Sequence, residues 1–154
     1  MIVRKFVPRD ADKLSQLITR NLRLVNIRDY SPAAIEALIP HYTPEKIIDL
    51  SKNGYMVVCI HENELVGTAS LDGNRVRNVF VDIDMHKKGI GRMLMADIEA
   101  HAREKNLISV YLHAGLSAEG FYHKLGYKTI RRIDRELDGI PLPVIKMEKD
   151  LSKT

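Results

Sequence analysis

Val79-Phe80-Val81-Asp82-Ile83-Asp84-Met85-His86-Lys87-Lys88-Gly89-Ile90-Gly91-Arg92 is the stretch on which the reading of this chain turns. It begins as a β-branched apolar run, passes through a polar turn, and ends on two glycines. After them Ile90, Met93, Leu94, Ile98 and Ala102 recur at three- and four-residue steps until Asn106. A strand therefore runs through a turn into a long amphipathic helix. Glycines at such a helix start let backbone N–H groups approach a ligand closely, and the unpaired first-turn amides with the helix dipole favour phosphate oxygens. Lys87, Lys88 and Arg92 add cationic charge beside them. The pattern is neither a Walker loop nor the three-glycine dinucleotide fingerprint. It reads as a shorter pyrophosphate cradle, the alternative being a glycine-softened helix start among solvated lysines.

Upstream, residues 2–7 form an apolar run ended by Pro8, a first strand. Asp10 reads as the N-cap of a helix whose stripe is Leu14, Leu17, Ile18, Leu22 and Val25. Ser31-Pro32 and Thr43-Pro44 each place a capping hydroxyl before a proline and open two further helices. Beyond Asn53-Gly54 the period changes. Residues 55–60, 65–71 and 75–81 are strand-like runs separated by His61-Glu62-Asn63-Glu64 and Asp72-Gly73-Asn74, an antiparallel meander.

Downstream of the long helix, residues 107–112 read as a strand and 118–125 as a short helix that Gly126 can cap in left-handed conformation. Residues 127–132 and 144–147 make a last strand pair around a loop holding Asp138-Gly139 and two prolines. The order β-α-α-(α)-β-β-β-α-β-α-β-β predicts a mixed α+β sheet with helices on its faces, in one domain spanning 1–154.

Composition narrows the classes. Of the 154 residues 45% are hydrophobic and 29% charged, and no like-charge block or low-complexity tract stands out, as expected of a globular domain. No apolar run reaches the roughly 20 residues of a membrane helix, and the start MIVRKFVPRD lacks signal-peptide features. With one cysteine, Cys59, no internal disulfide or Cys-based zinc framework can form, so a cytoplasmic setting is expected. The net charge of +4 suits an anionic ligand. It is unaccompanied by an RNP-like strand, a GXXG clamp or a Cys/His finger, so nucleic acid is a minor alternative resting on charge alone.

Ser117-Ala118-Glu119-Gly120-Phe121-Tyr122-His123-Lys124-Leu125-Gly126-Tyr127 supplies the second signature. It resembles motif B, A-x-x-F-Y-x-K-L-G-[FY], of the GCN5-related N-acetyltransferase (GNAT) family. Residues 86–91 resemble that family's motif A, [QR]-x-x-G-x-[GA], with His86 where Gln or Arg is usual, and a helix and a strand separate the two motifs in the family's order. The resemblance covers residues 55–147; the first 50 match in element order alone. Gly115 stands where the family often has Asn or Ser, three residues before the motif's alanine.

The resemblance implies the acyl-CoA N-acyltransferase fold: a central, mostly antiparallel, splayed sheet of six to seven strands with about four to five helices. It implies transfer of an acetyl group from acetyl-CoA to a primary amine by direct attack in a ternary complex. The acceptor is expected to be a small molecule, with a protein or peptide amine as the alternative, and homodimerisation is left open. His86, Lys87, Lys88, Gly89, Ile90, Gly91, Arg92, Ser117 and Lys124 would hold the cofactor. Backbone groups around Phe80 and Val81 would meet the pantetheine arm and the oxyanion, and Tyr122 would protonate the departing sulfur. A phenol with an ordinary pKa near 10 can give a proton to a developing thiolate.

No strand glutamate is available as base, since residues 75–78 are Arg-Val-Arg-Asn. Asp29, Glu36 and His41 are the candidates in the helical region that forms the family's acceptor wall. His113 and His123 flank the site in sequence and read as structural, and no helical His pair with a third ligand points to a metal. A non-catalytic module that binds acyl-CoA is the rival reading.

Overall fold

A computed structural model describes residues 1–152. Seven strands form one sheet: β1 (Ile2–Lys5), β2 (Tyr55–His61), β3 (Glu64–Asp72), β4 (Arg75–Val81), β5 (Ser109–Ala114), β6 (Lys128–Leu137) and β7 (Ile140–Asp150), in the order β1-β2-β3-β4-β5-β7-β6. Five α-helices join them: α1 (Ala11–Leu24), α2 (Pro32–Leu38), α3 (Pro44–Ser51), α4 (Ile90–Glu104) and α5 (Glu119–Lys124). All neighbouring strands are antiparallel except β4 and β5, which run parallel. That one parallel pair touches at a single register position, Arg75 opposite Tyr111, where the Tyr111 amide donates to the Asn74 carbonyl at 3.0 Å. Beyond it the two strands separate, so the expected splayed, mostly antiparallel sheet is present.

β2 is apolar on both faces because both faces are covered. Val57, Ala69, Val110 and Met147 pack with Leu94, Met95 and Ile98 of α4. On the opposite face Met56 and Val58 pack with Leu14, Ile18, Ile35 and Ile47 of α1, α2 and α3. Ser31 and Thr43 cap as the sequence indicates, accepting from the amides of Ala34 at 3.1 Å and Lys46 at 3.3 Å.

Four expectations are corrected. Asp10 does not cap α1 with its side chain; its carboxylate turns back to accept from the Val7 amide at 2.9 Å and from both Arg4 Nη atoms at 2.8 and 2.9 Å. The first strand ends at Lys5, before the residues that lead into this turn. The strand placed at 107–112 begins two residues later, because Leu107 finishes α4: Asn106 is left-handed (φ 62°) and the Leu107 amide bonds the Ala102 carbonyl at 3.0 Å. The last two strands are longer than expected, and Asp138-Gly139, at φ 51° and 77°, alone forms the turn between them. Pro141 and Pro143 lie within β7 opposite Glu136 and Asp134, in the part that β5 does not reach, where a missing N–H costs no ladder bond.

Candidate active site

The end of β4 is shaped by a bulge. Thr68 pairs with Phe80 and Ser70 with Arg77, which leaves one extra residue on β4 at Asn78, in the left-handed region at φ 56°. Beyond the bulge the Asp82 amide donates to the Val66 carbonyl at 2.8 Å. By the alternation of an antiparallel ladder, Phe80 also turns its backbone groups toward β3, and Val79 and Val81 turn theirs into the gap beside β5. Of the two backbone positions named from the sequence, Val81 therefore faces the gap, and Phe80 faces β3.

The turn into α4 is braced from α1. Arg20 holds Asp82 at 2.9 Å and Asp84 at 3.0 Å, and Asp82 also accepts from the Asp84 amide. His86 folds back so that its Nε2 lies 2.9 Å from the Val81 carbonyl. Lys87 (φ 65°) and Gly89 (φ 83°) are left-handed, and the buried Ile90 side chain anchors the first turn. The first α4 bond runs from the Met93 amide to the Gly89 carbonyl, which leaves the Ile90, Gly91 and Arg92 amides without an intrahelical acceptor. A Cβ on Gly89 would meet open space, whereas one on Gly91 would lie 2.9 Å from the Phe121 ring. Lys87, Lys88 and Arg92 are exposed, and no ion pair among the described residues involves them.

Tyr122 lies on α5 in the same core cluster as Val79 and Val81, on the α4 side of the sheet. Gly126 (φ 97°) ends α5, with the Tyr127 amide bonding the Tyr122 carbonyl at 3.0 Å. The Tyr122 ring is 8% exposed and meets Phe121 and Tyr127 edge to face, at 5.0 and 5.8 Å. Burial raises its pKa, so the phenol keeps its proton at neutral pH. Its hydroxyl is hydrogen-bonded to no described residue, whereas Tyr127 donates to Glu99.

Ser117 and Lys124 differ in setting. The Ser117 amide and hydroxyl both donate to Asp29, at 3.0 and 2.8 Å. Lys124 is exposed and makes no ion pair among the described residues. His123 bonds Thr129, at 2.9 Å. Among the candidate bases, Asp29 is thus engaged by Ser117, Glu36 stands 3.6 Å from Arg23, and His41 is exposed.

A group that sequence reasoning did not assemble lies on the α1 face where β4 and β5 part. His113 Nδ1 is 3.2 Å from Arg75 Nη2 and 3.3 Å from Arg135 Nη1. Burial, followed by the charges of Arg75, Arg135, Lys146 and Arg131, pushes the imidazole down to about 4. The chain carries this signal only as alternation: Arg75 and Arg77, Tyr111 and His113, and Arg131 and Arg135 share parity within their strands.

Residues 26–151 match the profile of the acetyltransferase (GNAT) domain family. The chain belongs to that family. It is 34% identical over 101 residues to the uncharacterized protein YyaT of Bacillus subtilis (strain 168), a match spanning 63% of this chain and 66% of that protein, just under two thirds of its length. It is 28% identical over 115 residues to the peptidyl-lysine N-acetyltransferase YjaB of Salmonella typhimurium (strain LT2), covering 75% of this GNAT chain and 73% of the relative. The fold superposes with a TM-score of 0.79 on PaiA N-acetyltransferase from Thermoplasma acidophilum in complex with coenzyme A, at 21% identity and covering 97% and 98% of the two chains. No helix among the described residues is long and apolar enough to cross a membrane.

Proposed function

We propose that this single-domain GNAT chain transfers an acetyl group from acetyl-CoA to the primary amine of a small molecule by direct attack in a ternary complex. The reading is carried by one coincidence: the gap between β4 and β5 opens toward the same end of β4 at which α4 presents its unpaired amides. A ligand with a diphosphate at one end and an extended, amide-bearing arm fits that pair of features. The residues present therefore suit acetyl-CoA, whose thioester would supply the activated acetyl group and leave as the coenzyme A thiol.

The Ile90, Gly91 and Arg92 amides would hold the diphosphate, with Lys87, Lys88 and Arg92 adding charge; His86 acts by holding the Val81 carbonyl rather than by reaching the ligand. Val81 and Val79 offer backbone groups to the arm, and an N–H of this pair serves as oxyanion donor. Ile90 contributes its backbone only, its side chain being in the core. Tyr122, protonated and with a hydroxyl that bonds no described residue, donates to the developing thiolate. Ser117 would reach the cofactor only by letting go of Asp29, and Lys124 is free to approach its phosphates. The pocket-facing part of β4 carries Arg75, Arg77 and Asn78 and no carboxylate, so the amine must arrive neutral or lose its proton through water.

The missing strand carboxylate is the feature that favours a module holding acyl-CoA without turnover. Two measurements test the proposal. Coenzyme A at about 100 times its dissociation constant should stabilise the fold by about 2.7 kcal/mol, or about 5–10 °C in Tm. Release of free thiol with an amine panel should then show turnover. No Tm shift at millimolar coenzyme would remove both readings, and a shift without thiol release would leave the module.

A further inference from the structure

Arg75, Arg135 and His113 form a partly buried cationic group. No ion pair among the described residues includes Arg75 or Arg135, and Arg77 is paired with Asp72 at 3.6 Å. The Arg75 Nε is buried and makes no hydrogen bond. Both guanidinium groups are donors only, and both converge on one imidazole nitrogen. That nitrogen must be the lone-pair acceptor of a neutral ring, so His113 holds two cations together without cancelling either. Lys146 adds a third positive charge, its Nζ 5.0 Å from the centre of the Tyr111 ring. Glu148, opposite Tyr111 in the ladder, makes no ion pair among the described residues. Charges held this way out of water are costly unless an anion completes them.

Position gives the group its meaning. Arg75 sits at the closed end of the wedge between β4 and β5, whereas the α4 amides lie past the other end of β4, about 20 Å away at 3.3 Å per residue. The cluster is therefore separate from the diphosphate cradle. His113 stands two residues past the point of contact on β5, about 7 Å along, and Val79 four residues past it on β4, about 13 Å along. A thioester whose carbonyl meets the Val79 or Val81 amide thus has this cluster ahead of it, on the side where α2 lies against the β6–β7 hairpin. The hydroxyl of Tyr42, which donates to Asn78 at 3.2 Å, lies on the same face.

From this geometry we infer that the acceptor amine carries an oxyanion group, a carboxylate or a phosphate, which Arg75 and Arg135 receive and His113 aligns. The inference rests on the acetyl-transfer reading and narrows its substrate class to amines with an anionic group a few bonds from the nitrogen. Forked guanidinium donors suit either oxyanion. The sheet sorts the charges of β6: Arg132 pairs with Asp134 at 3.0 Å on the outer face, and Arg135 turns inward.

The test compares amines that differ in the anion: β-alanine with propylamine, lysine with cadaverine, and phosphoethanolamine with ethanolamine, read by thiol release from acetyl-CoA. The anionic member of at least one pair should lead by about ten-fold or more in kcat/KM, since charge-assisted hydrogen bonds of this kind are worth that factor. Which pair responds separates carboxylate from phosphate. Arg75→Gln and Arg135→Gln should each collapse that ratio through KM while the Tm shift with coenzyme A persists. Independently of turnover, the His113 ring signals in NMR should move saturably with β-alanine or phosphoethanolamine and not with propylamine or ethanolamine. A chain that binds coenzyme A but shows no anionic preference and an unmoved His113 overturns the inference, as does better turnover of Nα-acetyl-lysine amide, which mimics a peptide lysine. Absence of the coenzyme shift would instead strike the acetyl-transfer reading.

Discussion

Ser117 grips Asp29 across 88 residues of chain, its hydroxyl 2.8 Å from one carboxylate oxygen and its amide 3.0 Å from the other. The contact fastens the turn after α1 to the segment that leads into α5, the helix that carries Tyr122. It also accounts for Gly115, since a Cβ there would stand 2.7 Å from the same Asp29 oxygen that Ser117 Oγ approaches. Gly115→Ala should push the carboxylate off and cost about 1 kcal/mol, the worth of a partly exposed charge-assisted bond. Asp29→Ala should cost a similar amount. Because both act on one contact, Gly115→Ala in the Asp29→Ala background should be nearly silent in denaturant melts; additive losses would show that the glycine serves some other purpose.

Tyr122→Phe removes a hydroxyl that bonds no described protein group, so the fold should lose little and the melting temperature should hardly change. Turnover should nevertheless fall about 10²-fold or more, the usual worth of a positioned proton donor. The Tm shift with coenzyme A should persist in the variant. Unchanged thiol release would reduce Tyr122 to an aromatic packed between Phe121 and Tyr127.

What could be read from the chain, and what could not, divides along contiguity. The α4 turn and the α5 segment are unbroken motifs, and local rules sufficed for their glycines and caps. Asp10 misled because its carboxylate serves Arg4 and the Val7 amide, a tertiary demand that overrides a helix-start preference. Leu107 misled because an apolar residue after a helix looks the same whether it starts a strand or closes a Schellman turn. The cationic group was out of reach for a different reason. Arg75, His113 and Arg135 come from three strands, and their parity says that each shares a face with its neighbours without saying which strands adjoin. Only the order β4-β5-β7-β6 brings them together.

His113 also predicts a pH dependence. Its imidazole titrates near 4 in the native state, chiefly through burial and then through Arg75, Arg135, Lys146 and Arg131, against about 6.5 in the unfolded chain. Between those values the unfolded state binds more protons than the native one, so stability is full above about pH 6.5 and falls as the pH drops toward 4. His113→Gln should flatten that part of the stability profile between pH 7 and 4.5, measured as the difference in Tm. The acid loss due to Asp10, whose pKa stays low because Arg4 and the Val7 amide outweigh its burial, should remain in the variant. An identical profile in the two proteins would mean that His113 titrates normally.

Glu99 is the buried charge on which the other face depends. It is 5% exposed, accepts from the Tyr127 hydroxyl at 2.9 Å and from Lys149 Nζ at 2.7 Å, and so joins α4 to β7 and to the residue that closes α5. Glu99→Ala strands a phenol and an ammonium together. Removing one partner of such a buried pair costs about 3–5 kcal/mol, and because the Lys149 side chain is 22% exposed and can turn to water, a loss of about 2–3 kcal/mol is expected. In thermal melts that is about 5–10 °C. Glu99→Gln preserves the acceptor for Tyr127 and should lose less. Replacing both ends of the pair, Glu99→Leu with Lys149→Met, should recover most of the deficit, because the cost lies in an unpaired charge rather than in the absence of an ion pair. A double variant as unstable as Glu99→Ala would show that the Tyr127 hydroxyl, left without an acceptor in both, is the group that sets the loss.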